Sequence, residues 1–191
     1  FNAPYKIDPT IFERWTNILL RVPNAVLWLR GGQAEAALKE AAKLAGVDAG
    51  RLVFTQGRVK RAAHIARHRL ADLFLDTHHY SAHATALDAL TANLSILTCP
   101  GPSLAGRATA SMLTTLGLED LIADNLENYE DKAVQLAANQ FTGLKTRLAE
   151  AREASHFHDR EQFVQHLEAA FRMMVGQAQS DQPRSRIEVS L

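Results

Sequence analysis

The sequence predicts an α/β domain in which helices cover both faces of a Rossmann-like parallel sheet. Short apolar runs alternate with helix-forming segments, and the runs lack the apolar–polar alternation of a strand with one exposed face. The chain has 191 residues, 47% of them hydrophobic, which suits one such domain with a C-terminal extension. Ligands of these sheets bind beside the carboxyl ends of the strands, so the residues after each strand are the candidates for a site.

The first elements follow from capping residues and helical spacing. Asp8 and Pro9 are typical of a helix start, because Asp accepts hydrogen bonds from the first N–H groups and Pro lacks the N–H that would go unpaired there. Apolar residues at helical spacing continue this helix until Pro23. The pattern then predicts a strand at 25–29, a helix at 34–45, a strand at 52–55, a helix at 60–69 and a strand at 71–75.

The second half continues this alternation. It predicts a loop at 77–82, a helix at 84–92, a strand at 94–98, a helix at 104–116, a short strand at 121–123 and helices at 128–138, 140–154 and 159–178. We divide the chain into a Rossmann-like lobe at 1–139, C-terminal helices at 140–178 and a polar, flexible tail at 179–191. A doubly wound sheet begins with a strand near its centre, whereas the first element here is a helix. We therefore expect the first strand to lie upstream, with Phe1 and Asn2 as its last residues.

The composition excludes several classes of function. Lys plus Arg and Asp plus Glu both number 21, so the formal net charge is zero, which argues against a nucleic-acid partner. The single cysteine, Cys99, cannot form an internal disulfide and fits a reducing, cytoplasmic location. The sequence shows no signal peptide and no apolar run of about 18 residues, so we expect no membrane segment.

The best candidate site is 83–88, where a strand, a loop and a helix meet. A helix N-terminus offers free N–H groups and the positive end of the helix dipole, and His83 and Thr85 would add donors for a phosphate. Asp88, about one turn into the helix, would accept hydrogen bonds from sugar hydroxyls. The alternative is structural: His83 or Thr85 caps the helix, and Asp88 is a solvated carboxylate.

Basic residues supply two further candidates. Lys6 lies in a loop after the expected first strand, where an ammonium group would neutralise a diphosphate, although a lone surface lysine usually has no such role. The helix at 60–69 carries basic side chains at helical spacing, and this face either holds a nucleotide or is merely solvated. Its members are Lys60, His64, Arg67 and His68, and Arg61 flanks it.

A metal site is the weakest candidate. His78, His79 and His83 suggest zinc, but zinc needs three or four ligands that converge at fixed geometry. Two adjacent histidines in a loop point in different directions, and no nearby Cys or carboxylate completes the set. We therefore expect no metal ion. The sequence also lacks a nucleophile elbow, a Walker loop and a Gly-x-Gly-x-x-Gly motif.

Ordered motifs run through most of the chain. Residues 1–9 are similar to the pattern Phe-Asn-x-x-Tyr-Lys-Ile-Asp-Pro. Further motifs are 15–19, 21–29, 70–72, 75–77, His83-x-Thr85-x-x-Asp88, Pro100-Gly101, Leu104-Ala105, Arg107 and Glu127-x-Tyr129-Glu130. In this order, over about residues 1–175, they resemble the C-terminal catalytic lobe of the protein O-GlcNAc transferases, which include plant SPINDLY-type proteins and bacterial relatives.

The resemblance implies a GT-B fold, with this chain as the second lobe, which binds the UDP of UDP-GlcNAc. It implies transfer of GlcNAc to Ser or Thr hydroxyls of proteins, with inversion and without a metal. It also implies that an N-terminal lobe and tetratricopeptide repeats lie upstream and that this part alone is inactive.

The resemblance also assigns roles residue by residue. Lys6, as the catalytic residue, would bind the diphosphate and stabilise departing UDP. Three further donor-binding positions, His83, Ala84 and Thr85, would hold phosphate at the helix N-terminus. Asp88 would bind the ribose, and His64 and Arg67 would contact the uridine, with Arg61 beside them. The backbone of Val59 would read the base edge.

Several positions depart from the family pattern. Ala84 stands where a second Thr is usual, so one phosphate donor is lost, at a cost of about 0.5–1.5 kcal/mol. Ala3 replaces a common Gln, Arg61 a common Lys, and residues 93–95 the usual Gly-x-Pro. Two alternatives therefore stay open: a degenerate module that binds UDP or a partner without catalysis, and a GT-B enzyme that uses another nucleotide sugar, such as UDP-glucose or GDP-fucose.

Overall fold

The structure is a computed structural model that describes residues 3–55, 57, 59–155, 157, 159–180 and 185–189. Phe1 and Asn2, the predicted end of an upstream strand, lie outside these residues, as does part of the predicted tail. The helices are α1 (Pro9–Arg21), α2 (Glu35–Leu44), α3 (Arg61–His68), α4 (Ala84–Thr91), α5 (Ala108–Thr115), α6 (Leu126–Ala138), α7 (Leu144–Ala154) and α8 (Arg160–Gln179). The strands are β1 (Leu27–Arg30), β2 (Leu52–Thr55), β3 (Phe74–Leu75) and β4 (Ile96–Leu97).

Within the described residues, the strands form two separate parallel pairs. β1 pairs with β2, with Leu27 opposite Leu52, and β3 pairs with β4. A single parallel bridge also joins Thr98 to Ile122. Helices separate successive strands along the chain, and all pairing is parallel, as the sequence predicts.

Helices cover both faces of these strands. In β3, Phe74 belongs to one apolar core and Leu75 packs against the other, and Ile96 and Leu97 of β4 divide in the same way. Because successive strand residues point to opposite faces, the two cores lie on opposite sides of the sheet. One core includes residues of α1, α2 and α6, and the other includes residues of α4, α5 and α7.

The strands predicted at 71–75 and 121–123 are both shorter than expected. The strand predicted at 71–75 begins only at Phe74, because the N–H groups of residues 70 and 71 bond back to the carbonyl groups of residues 67 and 68 and prolong the end of α3. The strand predicted at 121–123 is reduced to the bridge at Ile122, because Glu119–Leu121 form a 3-10 turn.

Asn93 explains both the late start of β4 and one departure from the family pattern. Its φ is +62°, in the left-handed region that Gly and Asn adopt most easily. The N–H of Leu94 then bonds back to the carbonyl of Ala89 at 2.9 Å and closes α4. Asn93 also donates from Nδ2 to the carbonyl of Lys145 at 3.0 Å. An Asn in place of the usual Gly is therefore accommodated.

Two predicted helices begin later than expected, because the backbone of the residues before them is not helical. The helix predicted at 104–116 begins at Ala108, because the preceding residues form a turn in which Gly106 N–H donates to the carbonyl of Ser103. The helix predicted at 140–154 begins at Leu144, because Gln140 and Phe141 have φ values of +51° and +52°.

An apolar cavity of about 560 Å³ lies between β1 and β3. Residues 24–29 line one side and residues 70–75 line the other. In the described part of the chain, no further strand pairs with either β1 or β3. A sheet already complete within the described residues would have contradicted the expectation of a strand supplied from upstream. That upstream strand stays a prediction.

The C-terminal helices differ in their burial. Leu144 and Leu148 of α7 are buried in the core that contains β4, whereas α8 has no buried residue among those described. The division at 139 and 178 stays a prediction. No described helix is long and apolar enough to cross a membrane.

Candidate functional site

The N-terminus of α4 is the centre of the candidate site. Leu87 donates the first intrahelical bond, to the carbonyl of His83 at 3.0 Å, so the N–H groups of residues 84–86 have no acceptor within the helix. His83 is the N-cap residue but makes no side-chain capping bond, and Thr85 is half-buried. Capping by His83 is therefore wrong, and the helix dipole leaves positive potential at this end. Ala84 is exposed and adds no hydroxyl.

The loop that leads to α4 is anchored on Asp76, a buried carboxylate at the end of β3. Its Oδ1 accepts the N–H of Ala82 at 2.8 Å, and its Oδ2 accepts the hydroxyl of Thr98 at 2.9 Å. Burial raises the pKa of Asp76, while hydrogen bonds from Thr109, Ala82, Thr98 and Thr77 oppose that rise. Asp76 was given no predicted role, although a polar residue directly after a predicted buried strand was the available signal.

Two aromatic residues hold the end of β3 from the other side. Tyr129 of α6 donates its hydroxyl to the carbonyl of Asp76 at 3.0 Å and accepts Nε1–H of Trp15 of α1 at 3.0 Å. Both rings are buried, and burial raises the pKa of Tyr129 well above its ordinary value. Both residues lie in family motifs, but sequence reasoning gave them no role.

Lys6, Tyr80 and His83 form what we call the lysine cluster. Lys6 Nζ donates to the carbonyl of Ser81 at 2.8 Å and lies 3.9 Å from the centroid of the Tyr80 ring. The Tyr80 ring meets His83 edge to face, with centroids 5.2 Å apart. Burial lowers the pKa of Lys6, and the nearby Asp76 carboxylate partly offsets this. Tyr80 was not among the predicted site residues.

Arg61, His64 and Asp88 form the aspartate cluster. Arg61 Nη2 lies 2.8 Å from Asp88 Oδ1, and His64 Nε2 lies 3.6 Å from Asp88 Oδ2. Arg67 donates to His64 Nδ1, and because a guanidinium only donates, the ring proton belongs on Nε2, toward Asp88. Burial, and then the Arg67 charge, lowers the pKa of His64. Asp88 is buried, so the solvated-carboxylate alternative is wrong.

The two clusters are linked through α4. His83 immediately precedes its first residue, and Asp88 lies in its second turn. A chain of contacts therefore runs from Lys6 through Tyr80 and His83 to α4, and from Asp88 to His64. The predicted diphosphate residues therefore lie at the start of α4, and the predicted nucleoside residues lie beside its second turn.

The predicted basic face of the third helix is partly wrong. His68 is fully buried, donates from Nδ1 to the carbonyl of His64 at 2.7 Å, and has its pKa lowered to about 4 by burial. It is neutral near pH 7 and faces the core, because the end of α3 packs inward. Lys60 is exposed at the N-cap position. Val59 is also exposed, and its backbone groups bond to no other described residue.

The three loop histidines do not converge. His78 Nδ1 donates to the carbonyl of Cys99 at 3.0 Å, and His83 Nε2 donates to that of Ala105 at 3.1 Å. The side chain of His79 is largely exposed. Across the residues that the structure describes, no group of three His, Cys, Asp or Glu side chains is placed to hold a metal ion. That the reaction needs no metal stays a prediction.

Two glycines let the loop before α5 pack against the loop before α4. A Cβ on Gly101 would lie 2.6 Å from the carbonyl oxygen of His78, and a Cβ on Gly106 would lie 3.0 Å from the same oxygen. The close packing brings the carbonyl of Ala105 to the N–H of Ser81 at 3.0 Å. These glycines therefore help to fix the loop that carries the lysine cluster.

Comparison with known proteins gives one consistent family. The profile of glycosyl transferase family 41 matches residues 1–167. The SEC protein of Arabidopsis thaliana, named a probable UDP-N-acetylglucosamine–peptide N-acetylglucosaminyltransferase, is 37% identical over 176 residues, which cover 90% of this chain and 18% of SEC. The UDP-N-acetylglucosamine–peptide N-acetylglucosaminyltransferase of Caenorhabditis elegans is 32% identical over 98% of this chain and 16% of its own length.

A solved structure agrees with this result. A mutant of the Thermobaculum terrenum O-GlcNAc transferase superposes with a TM-score of 0.83 and 30% identity, over 91% of this chain and 35% of that chain. The predicted fold, a Rossmann-like lobe of a GT-B glycosyltransferase, is confirmed. The chain spans less than a fifth of the length of the two relatives named above. By profile, sequence identity and superposition, the chain belongs to glycosyl transferase family 41.

Proposed function

We propose that this chain is the donor-binding lobe of an enzyme that transfers GlcNAc from UDP-GlcNAc to Ser or Thr hydroxyls of proteins. The names of the two relatives describe transfer of N-acetylglucosamine from UDP-N-acetylglucosamine to a peptide. The observation that carries the proposal is the N-terminus of α4, with the lysine cluster and the aspartate cluster beside it. A nucleoside diphosphate needs N–H donors or cations for its anionic phosphates and a hydrogen-bond acceptor for its neutral ribose hydroxyls.

The diphosphate side would assist departure of UDP. As the bond between the sugar carbon and the phosphate oxygen breaks, negative charge grows on UDP. The free N–H groups at residues 84–86 and the Lys6 ammonium would stabilise that charge, which is electrostatic catalysis without proton transfer. The acceptor hydroxyl would attack the anomeric carbon from the opposite face and invert it. Its proton would pass to a base in the upstream lobe or to substrate phosphate.

The nucleoside side would bind ribose and base. Asp88 offers a carboxylate to the ribose hydroxyls, and the Val59 backbone groups, which bond to no other described residue, would meet the edge of the base. The lowered pKa of His64 favours a neutral imidazole, which suits packing on an uncharged uracil. Arg61 and Arg67 complete this side of the site.

The rest of the protein is part of the proposal. We assign to it an N-terminal lobe, tetratricopeptide repeats that select the protein acceptor, and a location in the cytoplasm. The apolar cavity between β1 and β3 supports a further strand, supplied from upstream, that would join the two strand pairs. The helix N-terminus and Lys6 would replace a metal ion.

A comparison of two lysine variants in the full-length protein tests the proposal. Lys6→Ala should lower kcat for peptide glycosylation by about a hundredfold, a typical cost for one lost electrostatic donor. The dissociation constant for UDP should rise much less. Lys145→Ala removes an exposed lysine of α7 and should leave both values unchanged. Full turnover in Lys6→Ala would refute the catalytic assignment.

Ala84 favours the alternative of a degenerate binding module, because the helix N-terminus lacks a hydroxyl there. In such a module the lobe binds UDP, but the full-length protein neither hydrolyses UDP-GlcNAc nor transfers the sugar. Calorimetry with UDP and UDP-GlcNAc, beside a hydrolysis assay, distinguishes the two. A screen with UDP-glucose and GDP-fucose tests a different donor.

A further inference from the structure

Tyr80 lies between two predicted phosphate-binding residues. Lys6 Nζ is 3.9 Å from its ring centroid, and the His83 ring is 5.2 Å away in an edge contact. Tyr80 as a whole is 39% exposed, and its hydroxyl bonds to no other described residue. The aromatic ring, and not the hydroxyl, therefore makes these contacts.

The backbone of Tyr80 is fixed on both sides. The hydroxyl of Thr77 donates to the carbonyl of Tyr80 at 2.7 Å. The next residue, Ser81, donates both its N–H and its hydroxyl to the carbonyl of Ala105, at 3.0 and 2.9 Å. The ring therefore stands on a loop with little freedom, and its position is set before a ligand arrives.

Lys6 needs such a support. Its side chain has four rotatable bonds, and its only hydrogen bond among the described residues is to the carbonyl of Ser81. One hydrogen bond leaves the ammonium free to swing around its acceptor. The face of an aromatic ring attracts a cation, so the Tyr80 ring adds a second restraint from another direction.

We propose that Tyr80 is a positioning residue, which holds the Lys6 ammonium on its ring face and the His83 imidazole in a T-shaped contact, so that both groups meet the same diphosphate. This inference rests on the proposed function for its catalytic consequence. Its structural part, the restraint on Lys6, is independent of any activity.

The structural part is tested by the chemical reactivity of Lys6. The full-length protein and its Tyr80→Phe and Tyr80→Leu variants are treated with acetic anhydride, and acetylation of Lys6 is followed by mass spectrometry. In the Tyr80→Leu variant, acetic anhydride should acetylate Lys6 about tenfold faster than in the parent protein, because the cation–π restraint is lost. Tyr80→Phe keeps the ring and should stay within about twofold of the parent. An unchanged rate in Tyr80→Leu would overturn the proposal.

The catalytic part is tested by a double-mutant cycle in the same full-length protein. Tyr80→Leu should lower kcat about tenfold and change KM for UDP-GlcNAc much less, whereas Tyr80→Phe should restore most of kcat. In a Lys6→Ala background, Tyr80→Leu should have almost no further effect, because Tyr80 acts through Lys6. A general structural role would lower kcat by the same factor in both backgrounds, and that result would overturn the positioning role.

The two proposals fail differently. If the parent protein binds UDP-GlcNAc but transfers no sugar, the proposed function is wrong, while the acetylation rates still decide the role of Tyr80. If the parent protein is active and neither acetylation nor kcat responds to Tyr80→Leu, only the positioning role is wrong. Equal thermal unfolding midpoints for the two Tyr80 variants would confirm that both are folded.

Discussion

Nη2 of Arg61 lies 2.8 Å from Oδ1 of Asp88, and this ion pair joins the first turn of α3 to the second turn of α4. The two partners differ in exposure: the side chain of Arg61 is 73% exposed, and that of Asp88 is 11% exposed. An ion pair with one solvated partner contributes little to stability. Arg61 is therefore free to move when a donor binds, while Asp88 stays in place beside His64.

Asp88→Asn should weaken UDP binding about tenfold, because a charged acceptor for the ribose hydroxyls becomes a neutral one. The shape of the side chain is kept, so loss of fold is not expected. Calorimetric titration of the full-length protein with UDP measures the change. Asp72→Asn, at an exposed position near β3, is the matched control and should bind UDP as the parent does. Equal affinity in both variants would remove Asp88 from the site.

Ala84→Thr should strengthen UDP binding by about 2- to 10-fold, since it places a hydroxyl beside the free N–H groups of α4 and adds one hydrogen bond. The position is exposed, so the larger side chain meets no steric barrier. Titration with UDP measures the gain. Ala36→Thr makes the same exchange at an exposed position in the first turn of α2 and should change nothing. A gain in both variants, or in neither, would contradict a phosphate site at α4.

Gly101→Ala should destabilise the protein by about 1–3 kcal/mol, because the new Cβ would lie 2.6 Å from the carbonyl oxygen of His78 and the backbone must move. UDP affinity should fall as well, since the displaced loop carries Tyr80 and His83. Urea unfolding and calorimetry measure the two effects.

The control for this change is Gly176→Ala in α8, where the new Cβ meets no atom within 4 Å apart from its chain neighbours and the helix backbone. There the substitution should stabilise the helix by about 0.5–1 kcal/mol and leave UDP binding unchanged. A Gly101→Ala variant with parental stability and affinity would mean that the two loops are not closely packed.

His68 should make stability depend on pH. Its folded-state pKa is lowered from 6.5 to about 4 by burial, so between these values the unfolded chain binds a proton that the folded chain does not. The stability contributed by the neutral ring is therefore complete above pH 6.5 and is lost as the pH falls toward 4. The loss amounts to about 3 kcal/mol from pH 7 to pH 4.

His68→Leu should flatten this dependence. Leu cannot take up a proton, so the free energy of unfolding should change less between about pH 7 and pH 4.5 than in the parent protein. Gln165→Leu, at an exposed position of α8, introduces a leucine away from His68 and should leave the parental slope. Urea unfolding at both pH values measures the slopes. A parental slope in His68→Leu would show that another group carries the pH dependence.

Capping and periodicity predicted most of the fold, and local backbone geometry limited the rest. The Asp8 side chain caps α1 as expected, accepting the N–H of Ile11 at 3.0 Å. The starts of β3 and β4 were missed because the ends of α3 and α4 are prolonged by turns, and apolar residues in such turns resemble strand residues. Asn93 shows the difficulty, since its left-handed backbone cannot be read from hydrophobicity.

The site was only partly accessible from the sequence. His83 and Asp88 follow from their place at a helix N-terminus, and the structure puts them there. His68 was misplaced because helical spacing cannot distinguish a basic face toward solvent from one that turns into the core. Tyr80 was missed because contacts between a loop residue and Lys6, 74 positions away, leave no local pattern.

Among the described residues, no strand pairs with the border of β3 that faces away from β4, and this affects how the polypeptide would behave when prepared by itself. That border offers backbone N–H and C=O groups beside apolar side chains, which is a template for adding any extended peptide. Separate molecules of the 191-residue chain would therefore tend to associate through β3, and sedimentation would show concentration-dependent oligomers. A covalently attached strand of matching length should return the chain to a monomer.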